Sequence, residues 1–282
     1  MSRARQAPRP AQLTTQQIGR AAILALHDEL ALSPKPGLVT LTDRGSHDDM
    51  DAHTFMRSLF ALRGYFVRIA ELGAEGAPFD ALERCGIAAE ARMLAATSDV
   101  NTHRGAIFML GLLCASAGAL AAAGQAATPE ALRATLRQRW GETLQARTHR
   151  PSTLPGGIAA RRLGLRSASA EAALGFPTLF ETAEPALRRG LARGLPPGAA
   201  RLDCLFAVMA VLDDSNLAHR GGLAGLRFAQ REAAAFLAAG GIDRPDGPAA
   251  AEALAGEFVR RRLSPGGAAD TLAAACWLQR LG

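Results

Sequence analysis

Apolar residues recur along this chain at helical spacing. Ile18, Ala22, Leu26 and Leu30 fall four apart, on one face of a helix that Thr14 or Thr15 can cap and that runs to about Leu32. Phe55, Leu59, Leu62, Phe66 and Ile69 mark the inward face of a second helix, predicted from about Asp48 to Leu72. Further helices are predicted over 79–96, 101–124, 129–146, 157–174, 178–192, 200–213, 221–239, 248–262 and 267–281, with loops at 33–47, 151–157 and 190–198. No strand pattern with hairpin turns occurs. The pattern predicts one all-α globular domain of about ten helices over residues 14–282, preceded by a flexible arm at 1–13.

One segment admits a second reading. After Arg104 no charge occurs until Glu130, and a stretch of that length suffices to cross a bilayer. Gly105, Gly111, Ser116, Gly118, Gly124 and many alanines make it only weakly hydrophobic, so a central helix surrounded by others is expected and no membrane association. Met1–Pro10 is basic but leads into no long apolar segment, so no secretory signal is read there and a cytoplasmic location is expected.

Composition sharpens the fold class. The chain holds 61 alanines against 13 valines and isoleucines, a balance that favours helix over strand. Of its 32 basic residues, 31 are arginine and one is lysine, Lys35; asparagine occurs twice, at Asn101 and Asn216. These survivors of an arginine-rich bias are candidates for positions where chemistry needs them, against chance survival at the surface. The net charge of +6 suits an anionic ligand. The basic residues are dispersed and aromatics are few, so nucleic acid is not the expected partner and a phosphorylated small molecule is. Cys85, Cys114, Cys204 and Cys276 sit widely apart among apolar neighbours and read as small core residues.

The segment richest in chemistry runs from Ser33 to Asp51. Prolines on both sides of Lys35 restrain a loop that could present its ammonium to an anion. On a helix begun at Asp48, Asp48 and Asp51 would share a face, as would His47 and Asp51. Three carboxylates in four residues repel one another unless a cation lies among them, which points to Mg²⁺ bridging carboxylates and a polyphosphate. As plain helix caps, the same aspartates need no metal. Asp213 and Asp214 are a second acidic pair. Asp99–Gly105 and Asp214–Gly222 echo one another, each carrying an asparagine, a histidine and an Arg-Gly between two apolar helices, where unpaired amides can bind phosphate. Glu29 precedes the proline loop as a salt-bridge partner or a general base. Ser264, Gly266 and Gly267 open the last helix. His27, His53 and His149 lie outside these clusters and read as structural or solvated. No P-loop, kinase signature, GxSxG elbow or zinc spacing occurs, so bound ATP would be held by helix ends and loops.

Taken in order, Glu29 with Ser33–Val39 (SPKPGLV), Gly45–Asp51 (GSHDDMD), Val100–Phe108 (VNTHRGAIF), Glu171–Pro177 (EAALGFP), Asn216–Gly222 (NLAHRGG) and Leu263–Asp270 (LSPGGAAD) resemble the ATP:dephospho-CoA triphosphoribosyl transferases. Leu38–His47 looks more like the malonate decarboxylase branch of that family than the citrate lyase branch. Residues 149–166 follow the family pattern poorly, with Leu154-Pro155-Gly156-Gly157 where a histidine–glycine pair is frequent.

The resemblance implies an all-helical fold and transfer of the 5-triphosphoribosyl group of ATP to the ribose 2′-hydroxyl of 3′-dephospho-CoA, with release of adenine. The product would pass to a prosthetic-group transferase and then to the acyl-carrier protein of malonate decarboxylase. It further implies a catalytic role for Glu29, Asp49 or His47, and nucleotide binding by Lys35, Asn101, His103, Arg104, Asn216, His219, Arg220, Ser264, Gly266 and Gly267. Mg²⁺ would sit on Asp48, Asp51 and Asp214. Two other readings compete: an all-α Mg²⁺-dependent hydrolase of ADP-ribose-type or diphosphate substrates, and a catalytically silent nucleotide- or CoA-binding partner.

Overall fold

The computed structural model describes residues 13–282, so all of the expected arm except Leu13 lies outside the described residues. Twelve α-helices follow one another, and no strand occurs among the described residues. They are α1 (Thr15–Leu30), α2 (Ala52–Ala74), α3 (Phe79–Thr97), α4 (Arg104–Ala122), α5 (Pro129–Arg147), α6 (Pro155–Arg162), α7 (Ala168–Ala173), α8 (Glu184–Ala192), α9 (Pro197–Val211), α10 (Ser215–Ala238), α11 (Gly247–Arg260) and α12 (Gly266–Leu281). A π-helical turn, Thr178–Ala183, leads into α8, and a 3₁₀ turn, Gly241–Asp243, precedes α11.

The uncharged helix is the centre, as its composition predicts. α4 packs against α1, α2, α3, α5 and α12. It is long and apolar enough to cross a membrane, but 72% of its most apolar window is buried inside the protein. Glycine decides how closely its neighbours approach. A Cβ on Gly73 of α2 would lie 1.9 Å from the Ala115 carbonyl oxygen, and one on Gly118 of α4 would lie 1.9 Å from that of Ala70. The α2–α4 crossing is therefore backbone against backbone, a contact that larger side chains forbid. Cys114, Cys204 and Cys276 are buried and free, and Cys85 is partly buried.

Helix ends follow local chemistry. Thr14 caps α1 in a reciprocal box: its hydroxyl accepts from the Gln17 amide at 3.2 Å while Gln17 Oε1 accepts from the Thr14 amide at 2.8 Å. Four boundaries depart from expectation. α2 begins at Ala52, not Asp48. The Ser46 amide donates to the Gly37 carbonyl at 3.1 Å, and Gly45 turns through a positive φ of 58° against the Gly37 backbone, so this stretch is tied to the proline loop. The helix expected over 157–174 is two, α6 and α7, broken at Gly164 where the Leu165 amide returns to the Ala160 carbonyl. Pro185 cannot donate to the preceding turn, and a π turn stands before it where one continuous helix was expected. α10 starts six residues earlier than expected, at Ser215, and breaks at Gly222 (φ 62°, ψ −164°).

This arrangement brings the N-termini of α4, α10 and α12, the last turn of α1 and the connection from α5 to α7, with α6 in it, to line one cavity.

Candidate active site

The cavity is about 1310 Å³, enough for two nucleotide-sized molecules. Thirteen sequence-predicted residues meet on it: Glu29, His47, Asp49, Asn101, His103, Arg104, Asp214, Asn216, His219, Arg220, Ser264, Gly266 and Gly267. Lys35, Asp48 and Asp51 do not line it.

Glu29 lies in the last turn of α1, where it is 4% exposed. Lys35 Nζ donates to Glu29 Oε1 at 2.5 Å and to the Glu29 carbonyl at 2.7 Å. The lone lysine thus satisfies a helix C-terminus and pairs with its carboxylate in one stroke. Burial lowers its pKa, opposed by the Glu29 charge. Lys35, expected to hold triphosphate, is 3% exposed, lies off the cavity lining and has its ammonium on Glu29.

Three helix N-termini form the polar wall. At α4, the Asn101 side-chain oxygen accepts from the Arg104 amide at 3.1 Å. Arg104 Nε donates to Glu90 at 2.5 Å, holding the guanidinium on the cavity. Here and at α10 the echoed segments do join two helices each, but they are not structural copies. His103 and Arg104 sit at the mouth of α4, whereas His219 and Arg220 lie one turn inside α10. Asp214 is the N-cap of α10, and its Oδ1 accepts from the amides of Asn216 (2.8 Å) and Leu217 (3.3 Å). Its Oδ2 accepts from the Ala268 amide of α12 at 3.0 Å. One buried carboxylate therefore fastens two helix starts together, although burial still raises its pKa. Gly266 has no side chain because Asn216 Nδ2 lies 2.7 Å from where its Cβ would be.

The loop before α2 adds a hydrogen-bonded chain. Arg220 Nη2 donates to His47 Nδ1 at 3.0 Å, which leaves the ring proton on Nε2 to reach Ser264 Oγ at 2.9 Å. Arg220 also donates to the Ser46 carbonyl at 3.0 Å. Burial, and then the Arg220 charge, lower the His47 pKa. Asp49 is exposed, 3.6 Å from His47 Nδ1.

His103 is buried, with Ser58 Oγ 2.7 Å from Nδ1 and Phe55 edge-on at 4.9 Å. Among the described residues its Nε2 has no partner, nor does Thr102 Oγ1. Burial and nearby Lys35 lower the His103 pKa to about 3, so the ring is neutral at pH 7.

The expected magnesium set does not assemble. Asp51 caps α2, accepting from the Thr54 amide and hydroxyl at 3.0 Å each, and pairs with Arg44 at 3.2 Å beside a separate small hollow. Asp48 is exposed, and Asp214 already accepts three amides. The shared face failed because the helix starts after Asp51, so Asp48 and Asp51 are not a helical pair. Among the described residues no three His, Cys, Asp or Glu side chains are arranged to hold a metal ion.

Three features were not assigned a role from the sequence. Asp270, the end of the Leu263–Asp270 block, lines the cavity, and α12 turns it inward one turn after Gly266. Residues 147–171 form a wall with Arg147, His149, Arg150, Arg161 and Arg166, so His149 belongs to the site's lining. Glu171 braces that wall, accepting from the Thr178 amide at 2.7 Å and from Arg166 at 2.9 Å. Asp270 and Glu171 stand in two of the blocks that carry the family resemblance, and an excess of arginine marks the stretch from 147 to 166.

Residues 15–282 match the family model described as CitG: ATP:dephospho-CoA triphosphoribosyl transferase. No solved structure matches the chain.

Proposed function

This chain belongs to the ATP:dephospho-CoA triphosphoribosyl transferase family and is a pentosyltransferase of ATP and dephospho-CoA, and we propose that its cavity joins the ribose 2′-hydroxyl of 3′-dephospho-CoA to the anomeric carbon of ATP. The observation that supports this best is the meeting of three helix N-termini with a lysine-held carboxylate on one wall.

Unpaired amides and positive dipole ends at α4, α10 and α12 suit a triphosphate, together with Arg104 and Arg220. Thr102 Oγ1 and His103 Nε2 are further groups on this wall with hydrogen-bonding capacity unused. Breaking the adenine–ribose bond builds positive charge on the sugar. Glu29, oriented by Lys35, faces that charge and takes the proton of the attacking hydroxyl. Asp49, exposed beside His47 and Arg220, serves binding at the rim. The arginine-bearing wall at 147–171 takes the diphosphate of dephospho-CoA. Mg²⁺ enters with ATP as its triphosphate chelate, because Asp48, Asp51 and Asp214 do not form a resident site.

We further propose that the product serves malonate decarboxylase, on the resemblance of Leu38–His47, through a prosthetic-group transferase acting in the cytoplasm. Incubation with ATP, Mg²⁺ and 3′-dephospho-CoA, read by mass spectrometry and adenine chromatography, tests the reaction. Equal amounts of adenine and a triphosphoribosyl adduct are expected. Adenine without adduct would establish a hydrolase instead, and tight ATP binding without turnover a silent partner. Reconstitution of a malonate carrier subunit against a citrate one tests the branch.

A further inference from the structure

Asp270 is a cavity carboxyl that the reading above leaves unused. It lies one helical turn, about 5.4 Å, into α12 from the Gly266–Gly267 turn that faces the phosphates. Ala273, one turn further, and Leu26, one turn before Glu29 on α1, line the same cavity. Along α12 the lining runs from the amides at Gly266–Gly267 to the Asp270 carboxyl and then to Ala273. A nucleotide with its triphosphate on the helix starts carries its sugar and base in that order. The carboxyl has a built seat at the first turn of α4. Gly105 leaves the space, since a Cβ there would fall 1.9 Å from Asp270 Oδ2, and the Ala106 amide donates to the carboxyl.

We propose that Asp270 is the acid that protonates the departing adenine, an inference that rests on the transferase reading. The Asp270 proton moves to N7 of adenine as the C1′–N9 bond breaks with its electron pair on the base. The acceptor 2′-oxygen bonds to C1′, its proton passes to Glu29, and solvent then restores both groups. Several other titratable groups of the site are already committed, Glu83 to Arg147 and Asp213 to the Arg166 amide among them. Asp214 accepts backbone amides, His103 is neutral, and His47 lies between Arg220 and Ser264. Burial and the charges of Glu29 and Asp214 hold the Asp270 carboxyl well above the usual carboxylate range, which favours its protonated form.

The test compares ATP with ATP methylated at N7, whose base leaves without protonation. Asp270→Asn should slow adenine release from ATP by about 100-fold or more while slowing the methylated analogue less than about threefold. Equal loss on both substrates, or no loss, overturns the proposal. In the wild-type protein the ATP reaction should lose rate relative to the analogue as pH rises and Asp270 ionises. The charged groups that act on it, Glu29 and Asp214, affect both substrates alike, so parallel profiles also overturn it. Wild-type protein that releases no adenine from ATP refutes the transferase reading itself, separately from the role of Asp270.

Discussion

Lys35 reaches back six residues to Glu29 and donates to both its carboxylate and its backbone carbonyl, so the only lysine of the chain fixes a carboxylate on the cavity wall from behind. A flexible ammonium is suited to this double contact, which a planar guanidinium matches poorly.

Removing that partner should leave Glu29 buried and uncompensated. Lys35→Met is expected to cost about 3–5 kcal/mol in urea unfolding. Lys35→Met with Glu29→Gln should recover much of that loss while remaining inactive. A double variant no more stable than the single one would show that the pair is not the source of the effect.

Asp51 and Asp214, both expected from sequence to hold metal, should behave as caps. Asp51→Ala should lower stability by about 0.5–2 kcal/mol and leave kcat and its magnesium dependence at wild-type values. Asp214→Ala removes caps from two helices that line the cavity, so its stability loss should be larger and turnover should fall with it. A shifted magnesium midpoint in Asp51→Ala would restore the metal reading for that residue.

The pH dependence of stability carries two opposite signs. His103 titrates near 3 when folded and near 6.5 when exposed, so its contribution is complete above about 6.5 and is lost as pH falls towards 3. His103→Gln should flatten that acid limb of a thermal-melting profile. Asp270 is raised above its ordinary 3.8, so its contribution is complete below that value and is lost as pH rises through the folded pKa. Asp270→Asn should therefore melt higher than wild type at pH 8 and gain no such advantage at pH 3.5. A uniform offset across the range would contradict the assignment.

Glycines of α2 should separate by what faces them. A methyl group placed on Gly64 would meet nothing within 4 Å, so Gly64→Ala should stabilise by about 0.5–1 kcal/mol. Gly73 meets the Ala115 carbonyl, and Gly73→Ala should destabilise by about 1–3 kcal/mol by forcing α2 and α4 apart. Chemical denaturation of the two variants decides it.

The sequence by itself determined the helical class, the central place of α4 and most helix boundaries, because apolar spacing, caps and glycine act within a few residues of one another. It also picked out most of the polar wall, since Asn101, His103, Asn216 and Arg220 stand in short segments between apolar helices, where helix starts must fall. What it did not determine was direction. Lys35 reads as a phosphate ligand in its loop, but the packing of that loop under α1 turns it onto Glu29. Asp48 and Asp51 read as a helical pair, but contacts from Gly37 to Ser46 delay the helix until Ala52. Asp214 and Ala268 are 54 residues apart, and nothing local announces that one carboxylate caps both helices. Tertiary structure also decided the role of Asp270. A carboxyl near the start of a helix is ordinary until α1 and α10 bring Glu29 and Asp214 beside it, where burial and like charge change its affinity for a proton. Local spacing sets which face a side chain occupies; only long-range packing sets what that face meets.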